Sequence, residues 1–273
     1  AELLQPQDCF DSIPEQAKQH LLAARRAATA RNQAMDWEVE CITEALADEL
    51  PGPVILLKGA AYQQAQLPAA LGRLFGDVDI LLPKVQLDQA EHLLMKAGWL
   101  NTHINRYDQT YYRKWMHELP PMRHVRRRSV IDVHHSILPD TARLSVDANK
   151  LIADSIPLPG RSLHILAPED MVLHSATHLF HDGELEHGLR DLVDMDSLLR
   201  HFAENEGFWP RLFERAQQLG LQLQRHLAQL VQEERALVGR FKKAGLVAVG
   251  RVVELGAGLG YRLIYCGGLE PLE

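Results

Sequence analysis

The chain has 273 residues, 46% hydrophobic and 24% charged, which is length enough for one large or two modest domains with a sizeable core. No run reaches the ~18 consecutive apolar residues that a membrane helix needs, so no membrane partner is expected. A formal net charge of −7 argues against long nucleic acid as a non-specific ligand, although one local basic cluster runs from Arg123 to Arg128.

The first residues, "AELLQPQDCFDSIPEQ", lack a basic stretch followed by an apolar one, and a cytoplasmic location is expected. Cys9, Cys41 and Cys266 lie far apart with no CxxC pair, which argues against a disulfide framework or a thiolate zinc site. From Ser12 to Leu50 alanine, leucine and glutamate recur, with Ile42, Leu46 and Leu50 spaced by four, which predicts helix. "PGPVILLKGAAYQQAQ" then reads as a strand, a tight turn at Lys58-Gly59 and a helix. "GDVDILLP" is the next strand, and "KVQLDQAEHLLMKAGW" the next helix, closed by Gly98.

"YDQTYYRKWMHEL" and "RRRSVIDVHHSIL" are rich in β-formers, and Pro120-Pro121 between them predicts two antiparallel strands joined by a turn. Past Pro157 and Pro159 the pattern becomes helical. Pro168 precedes Glu169 and Asp170 at a helix start, and "EHGLRDLVDMDSLLRHF" and "WPRLFERAQQLGLQLQRHLAQLVQEERAL" are long and amphipathic. The expected class is α+β: an N-terminal helical segment (1–50), a small mixed-sheet core (51–140) and a mostly helical C-terminal domain (141–273).

Chemistry concentrates on the core. Asp77 and Asp79 alternate with Val78 and Ile80 on a strand, so both carboxylates project from one face. At ~4–6 Å their repulsion costs roughly 1–4 kcal/mol, and a bound divalent cation is the usual remedy. Asp132, between Ile131 and Val133, shares its face with Arg128, Val130 and His134. Three strand-borne carboxylates suit two Mg²⁺ ions ~3.5–4 Å apart, the arrangement used in metal-assisted phosphoryl or nucleotidyl transfer. Lys58 and Gly59 offer a point charge and close main-chain approach to a phosphate, while Arg73 and Arg128 are further phosphate candidates.

In this order, "LLKGAA", Arg73, "GDVDILLP", "IDVHHSI" and "GLRDLVDMDSLL" resemble the bacterial nucleotidyltransferases of the DNA polymerase β superfold, specifically the group known as uncharacterised nucleotidyltransferases. The resemblance covers roughly residues 40–200. It implies a nucleotidyltransferase core that moves a nucleoside monophosphate from an NTP to an acceptor and releases pyrophosphate. Asp77 and Asp79 would then hold both metals, and Asp132 would hold the catalytic metal and act as base. Lys58, Gly59, Arg73 and Arg128 would serve the nucleotide. Two departures stand out: Gly59-Ala60 replaces the Gly-Ser or Gly-Gly often present, and the interval from Gly59 to Asp77 is longer than in minimal members.

The acceptor expected is a hydroxyl on a small molecule, such as a sugar, or on a protein. Two other classes fit parts of the sequence. One is a catalytically inactive nucleotide-binding module, regulatory or antitoxin-like. The other is a metal phosphohydrolase using His174, His178 and His181, spaced along one helix side, with His187 and Asp191 nearby. Leu173, Leu179 and Phe180 on the same helix favour a packing role instead, in which His178 or Arg190 could face a nucleotide cleft. "VVELGAGLG", residues 252–260, mimics the glycine-rich loop of a methyltransferase, but too little chain follows it to complete the required sheet.

Overall fold

The run after Pro53 forms the centre of the sheet. Strand β1 (Val54–Leu56) is buried at every position, as expected of a strand covered on both faces. It pairs antiparallel with β2 (Asp77–Leu81) and parallel with β7 (Leu163–Ile165). The computed structural model describes residues 13–74, 76–102, 105–139, 141–142, 146–181 and 188–219. Outside them lie Cys9, Cys266, His187, the "VVELGAGLG" segment and the continuation of the last amphipathic pattern beyond Leu219.

Outward from β2 come β5 (Val130–His134), β4 (Met122–His124) and β3 (Trp99–Asn101); beyond β7 comes β6 (Ile156–Pro157). The seven-stranded order is β3-β4-β5-β2-β1-β7-β6, with β2 and β5 parallel and β4 antiparallel to both neighbours. The mixed α+β class is therefore the observed one.

Helix α1 (Glu15–Leu46) buries Met35, Val39, Ile42 and Leu46, a stripe at spacings of three and four. Helix α2 (Lys58–Gln64) makes under two turns and buries Gly59 to Tyr62. Helix α3 (Leu87–Lys96) ends just before Gly98, whose φ of +103° favours glycine. A Cβ there would stand 3.0 Å from His124 Nε2. Gly98→Ala is therefore expected to lower stability by about 1–2 kcal/mol, read as a lower urea midpoint at unchanged slope.

The strand expected in "YDQTYYRKWMHEL" is a helix, α4 (Arg106–Trp115). Asn105 caps it by accepting the Tyr107 N–H at 3.0 Å, and Arg113 donates to both oxygens of Glu91 on α3. Tyr107, Tyr111 and Trp115 recur at a spacing of four, so capping and helical periodicity override the β-preference of the aromatic residues. Only the end of this run is extended: Glu118 bridges His134, and β4 begins after Pro121. The turn between antiparallel strands lies at residues 125–129 rather than at the proline pair.

The remaining helices are α5 (Ala148–Ala153), α6 (Pro168–His181), α7 (Gly188–Phe202) and α8 (Phe208–Gln218). Helix α7 packs on α6 and on the short 3₁₀ turn Pro68–Ala70, bringing the helical part against the sequence that leads into β2. Among the described residues no helix is long and apolar enough to cross a membrane.

Candidate active site

Parallel pairing of β2 with β5 aligns Asp79 with Asp132 and Asp77 with Val130. Residues paired in this way share a face, so all three aspartates project from the same side of adjacent strands. Asp79 is buried at 5% exposure, its Oδ1 accepting from Lys58 Nζ at 3.2 Å and standing 3.0 Å from His134 Nε2. Asp132 is half-buried, and its Oδ1 is enclosed with no hydrogen-bond partner.

Charge in this group is unevenly stabilised. Burial alone would raise the Asp79 pKa, but Lys58 and the hydrogen-bonded His134 outweigh it and hold the carboxyl well below its usual range. Burial and the charge of Asp79 push Asp77 up and move Asp132 to about 7. Burial would lower Lys58, yet Asp79 keeps the ammonium above its ordinary value. Lys58 also has a φ of +43°, a backbone strain placed where its amine meets Asp79.

Beside Asp77 and Asp79 opens a cleft of about 390 Å³. Lys58, Gly59 and Tyr62 of α2 line one part of it, and Ser175, His178, Arg190 and Asp194 from α6 and α7 line another. Arg73 enters from the loop before β2, ion-paired with Asp194 and 5.7 Å above the Tyr62 ring. Burial, the first cause, lowers the guanidinium's pKa, and it also pushes the Tyr62 hydroxyl up to about 12. Arg190 donates to Asp191 at 3.0 Å, and His178 Nδ1 lies 3.6 Å from the same carboxylate. These two partners, set against burial, hold Asp191 at about 2. Cationic side chains thus face a carboxylate-bearing strand edge across an open cleft, a layout suited to an anionic ligand carrying a divalent cation.

A family model described as uncharacterised nucleotidyltransferase matches residues 1–235. The chain belongs to this nucleotidyltransferase family. No relative was found among curated proteins. Among solved structures, the Megavirus polyadenylate synthase is similar at 12% identity and a TM-score of 0.42. That match covers 74% of this chain and 39% of the synthase, so the chain spans well under half of the synthase's length. An antigenic nucleotidyltransferase-like protein from Paracoccidioides brasiliensis is similar at 16% identity and a TM-score of 0.40, covering 78% of this chain and 90% of that one.

In this member of the family Lys58, Gly59, Arg73, Asp77 and Asp79 all reach the cleft, and Asp132 adjoins Asp79. Arg128 does not line the cleft: it is exposed in the β4–β5 turn, with a φ of +65°. Arg127 instead ties the sheet to α1, donating to both oxygens of Glu38 with its guanidinium 4.8 Å from the Trp99 ring centre.

The histidines of α6 separate. His178 faces the cleft, whereas His174 is buried, and its pKa is held well below the ordinary value by burial and the nearby Lys58 charge. The side chain of His181 lies outside the described residues. Sequence reasoning missed Arg31, Tyr62, Ser175 and Asp194, which reach the cleft from four helices with no shared motif. It also missed Glu118, although His134, two positions from Asp132, was already on the relevant face.

Proposed function

We propose that the protein is an Mg²⁺-dependent nucleotidyltransferase that binds an NTP in this cleft. It transfers the nucleoside monophosphate to a hydroxyl of a small molecule or protein and releases pyrophosphate. The observation that carries the reading is the register of Asp79 with Asp132, next to a cleft lined by Lys58, Arg73 and Arg190. Asp77, Asp79 and Asp132 would hold the cations: all donors are oxygens, and the enclosed, unbonded Oδ1 of Asp132 fits a ligand role. When held there, Mg²⁺ would supply neutralisation of the phosphate charge.

Lys58 and Arg73 would take the phosphates as point charges, with Gly59 admitting them close to the main chain. Asp132 would accept the proton of the acceptor hydroxyl as its oxygen bonds the α-phosphorus. The bond from that phosphorus to the bridging oxygen breaks, and the electron pair leaves with pyrophosphate. A cytoplasmic location belongs to the same reading, as does a core beginning at residue 51 with helices after it, the core extending past residue 140 to take in β6 and β7.

Calorimetric titration of ATP, GTP, CTP and UTP, with and without Mg²⁺, tests it. Expected is Mg²⁺-dependent binding that an Asp77→Asn/Asp79→Asn double variant loses. Absence of binding of any NTP by folded wild-type protein would overturn the proposal.

A further inference from the structure

Behind Asp79, β5 meets the segment that follows α4. Leu119 N–H donates to Val133 O and His135 N–H to His117 O, both at 2.8 Å, and Glu118 forms a bridge with His134. These backbone bonds fix three side chains against one another. Among the described residues, His117, Glu118 and His134 are the three whose ligand-type atoms all lie within 4.8 Å of each other.

His134 is 3% exposed, and its Nδ1 is enclosed without a hydrogen bond although Glu118 Oε2 stands 3.3 Å away. Two ligands each ~2.0–2.1 Å from a tetrahedral ion are ~3.3 Å apart, so this spacing is already that of a shared ion. The His117 ring, centred 5.2 Å from that of His134, supplies the third donor after a small closing movement.

We infer that His117, Glu118 and His134 form a transition-metal site, of the zinc class, behind the DxD strand. Two imidazoles and one carboxylate are borderline-soft donors that suit Zn²⁺, Co²⁺ or Fe²⁺ far better than Mg²⁺, which prefers oxygen. The ion therefore differs from the one proposed at the aspartates, and this inference does not depend on that proposal. It also gives His134 a second role. With metal on Nδ1 the ring proton sits on Nε2 and donates to Asp79 Oδ1 at 3.0 Å, a carboxylate–histidine–metal chain. His134 is then a positioning residue that orients Asp79.

The test uses Co²⁺ as a spectroscopic probe on the untagged 273-residue chain, without nucleotide. Expected is uptake of one equivalent with visible d–d absorption, competed by Zn²⁺. His117→Ala and the isosteric Glu118→Gln should each weaken it at least roughly tenfold, while Asp77→Asn leaves it intact. Circular dichroism confirms that each variant is folded, and Glu118→Gln carries the test if His117→Ala is not. Folded wild-type protein that takes up no Co²⁺, or uptake equal in wild type and Glu118→Gln, would overturn the site. Neither result bears on NTP binding, so the two proposals fail separately.

Discussion

Asp132→Asn is expected to lower nucleotidyl transfer by about 10³-fold or more while making the metal-free protein more stable at pH 8. The catalytic loss follows from removing one metal ligand and the proton acceptor in a single step. The stability gain follows from the position of the carboxyl, which burial and the neighbouring charge of Asp79 move to about 7. In the unfolded chain the same group ionises near ~3.9. Between about pH 4 and pH 7 the unfolded state therefore loses a proton that the folded state keeps, so folding stability falls as pH rises through that window and is level above it.

An amide cannot ionise, so the variant escapes most of this penalty, a difference of roughly 1–3 kcal/mol at pH 8 and close to none below pH 4. Urea unfolding in the presence of a chelator, at pH 4.5 and pH 8, measures it. Equal midpoints for wild type and variant at both values would remove the electrostatic account of Asp132, and unchanged transfer activity would remove its catalytic one. Opposite signs are what a functional site predicts, because a charge placed to meet a cation is unfavourable until the cation arrives.

The part of the site that could be read in advance is the part written in local alternation. Asp77, Val78, Asp79 and Ile80 declare their faces by period alone, and the apolar run Val54–Leu57 before Lys58-Gly59 marks a buried strand entering a helix. Asp132 could be placed on a face, but its alignment with Asp79 depends on strand order, which brings β5 beside β2 across two intervening helices, α3 and α4, and two strands, β3 and β4. Local reading failed at α4, where Tyr107, Tyr111, Tyr112 and Trp115 suggested a strand and the Asn105 cap decided for a helix. It also passed over β6 and β7, which are two and three residues long and carry little pattern of their own. The far wall of the cleft was only partly legible. His178 and Arg190 stood out as residues that could face a cleft, but Ser175 and Asp194 join them there only through the packing of α6 and α7 and the docking of α7 on the Pro68–Ala70 turn, a consequence of tertiary structure.

One buried charge pair ties α6 to α8, and Arg215→Ala is expected to cost about 3–5 kcal/mol. Asp170, in the first turn of α6, has 0% exposure. Arg215 of α8 meets it with two parallel bonds, Nε to Oδ1 at 2.7 Å and Nη2 to Oδ2 at 2.8 Å. The same guanidinium donates to Lys150 O of α5 at 2.9 Å and lies 2.8 Å from Asp154, so one side chain joins three elements. Burial raises the Asp170 pKa even with Arg215 in place, so truncating the arginine leaves a carboxylate in an apolar site with its main partner gone. Arg215→Lys should recover only part of the loss, since an ammonium cannot form the two parallel bonds. A double variant, Arg215→Met with Asp170→Leu, should come close to wild type, because apolar replacement of both partners removes the uncompensated charge. Urea midpoints of the four proteins decide the matter; a double variant as unstable as Arg215→Ala would mean that the pair acts through geometry rather than charge. Because α6 also carries Ser175 and His178 to the cleft, Arg215→Ala should raise KM for the nucleotide even under conditions where the protein remains folded.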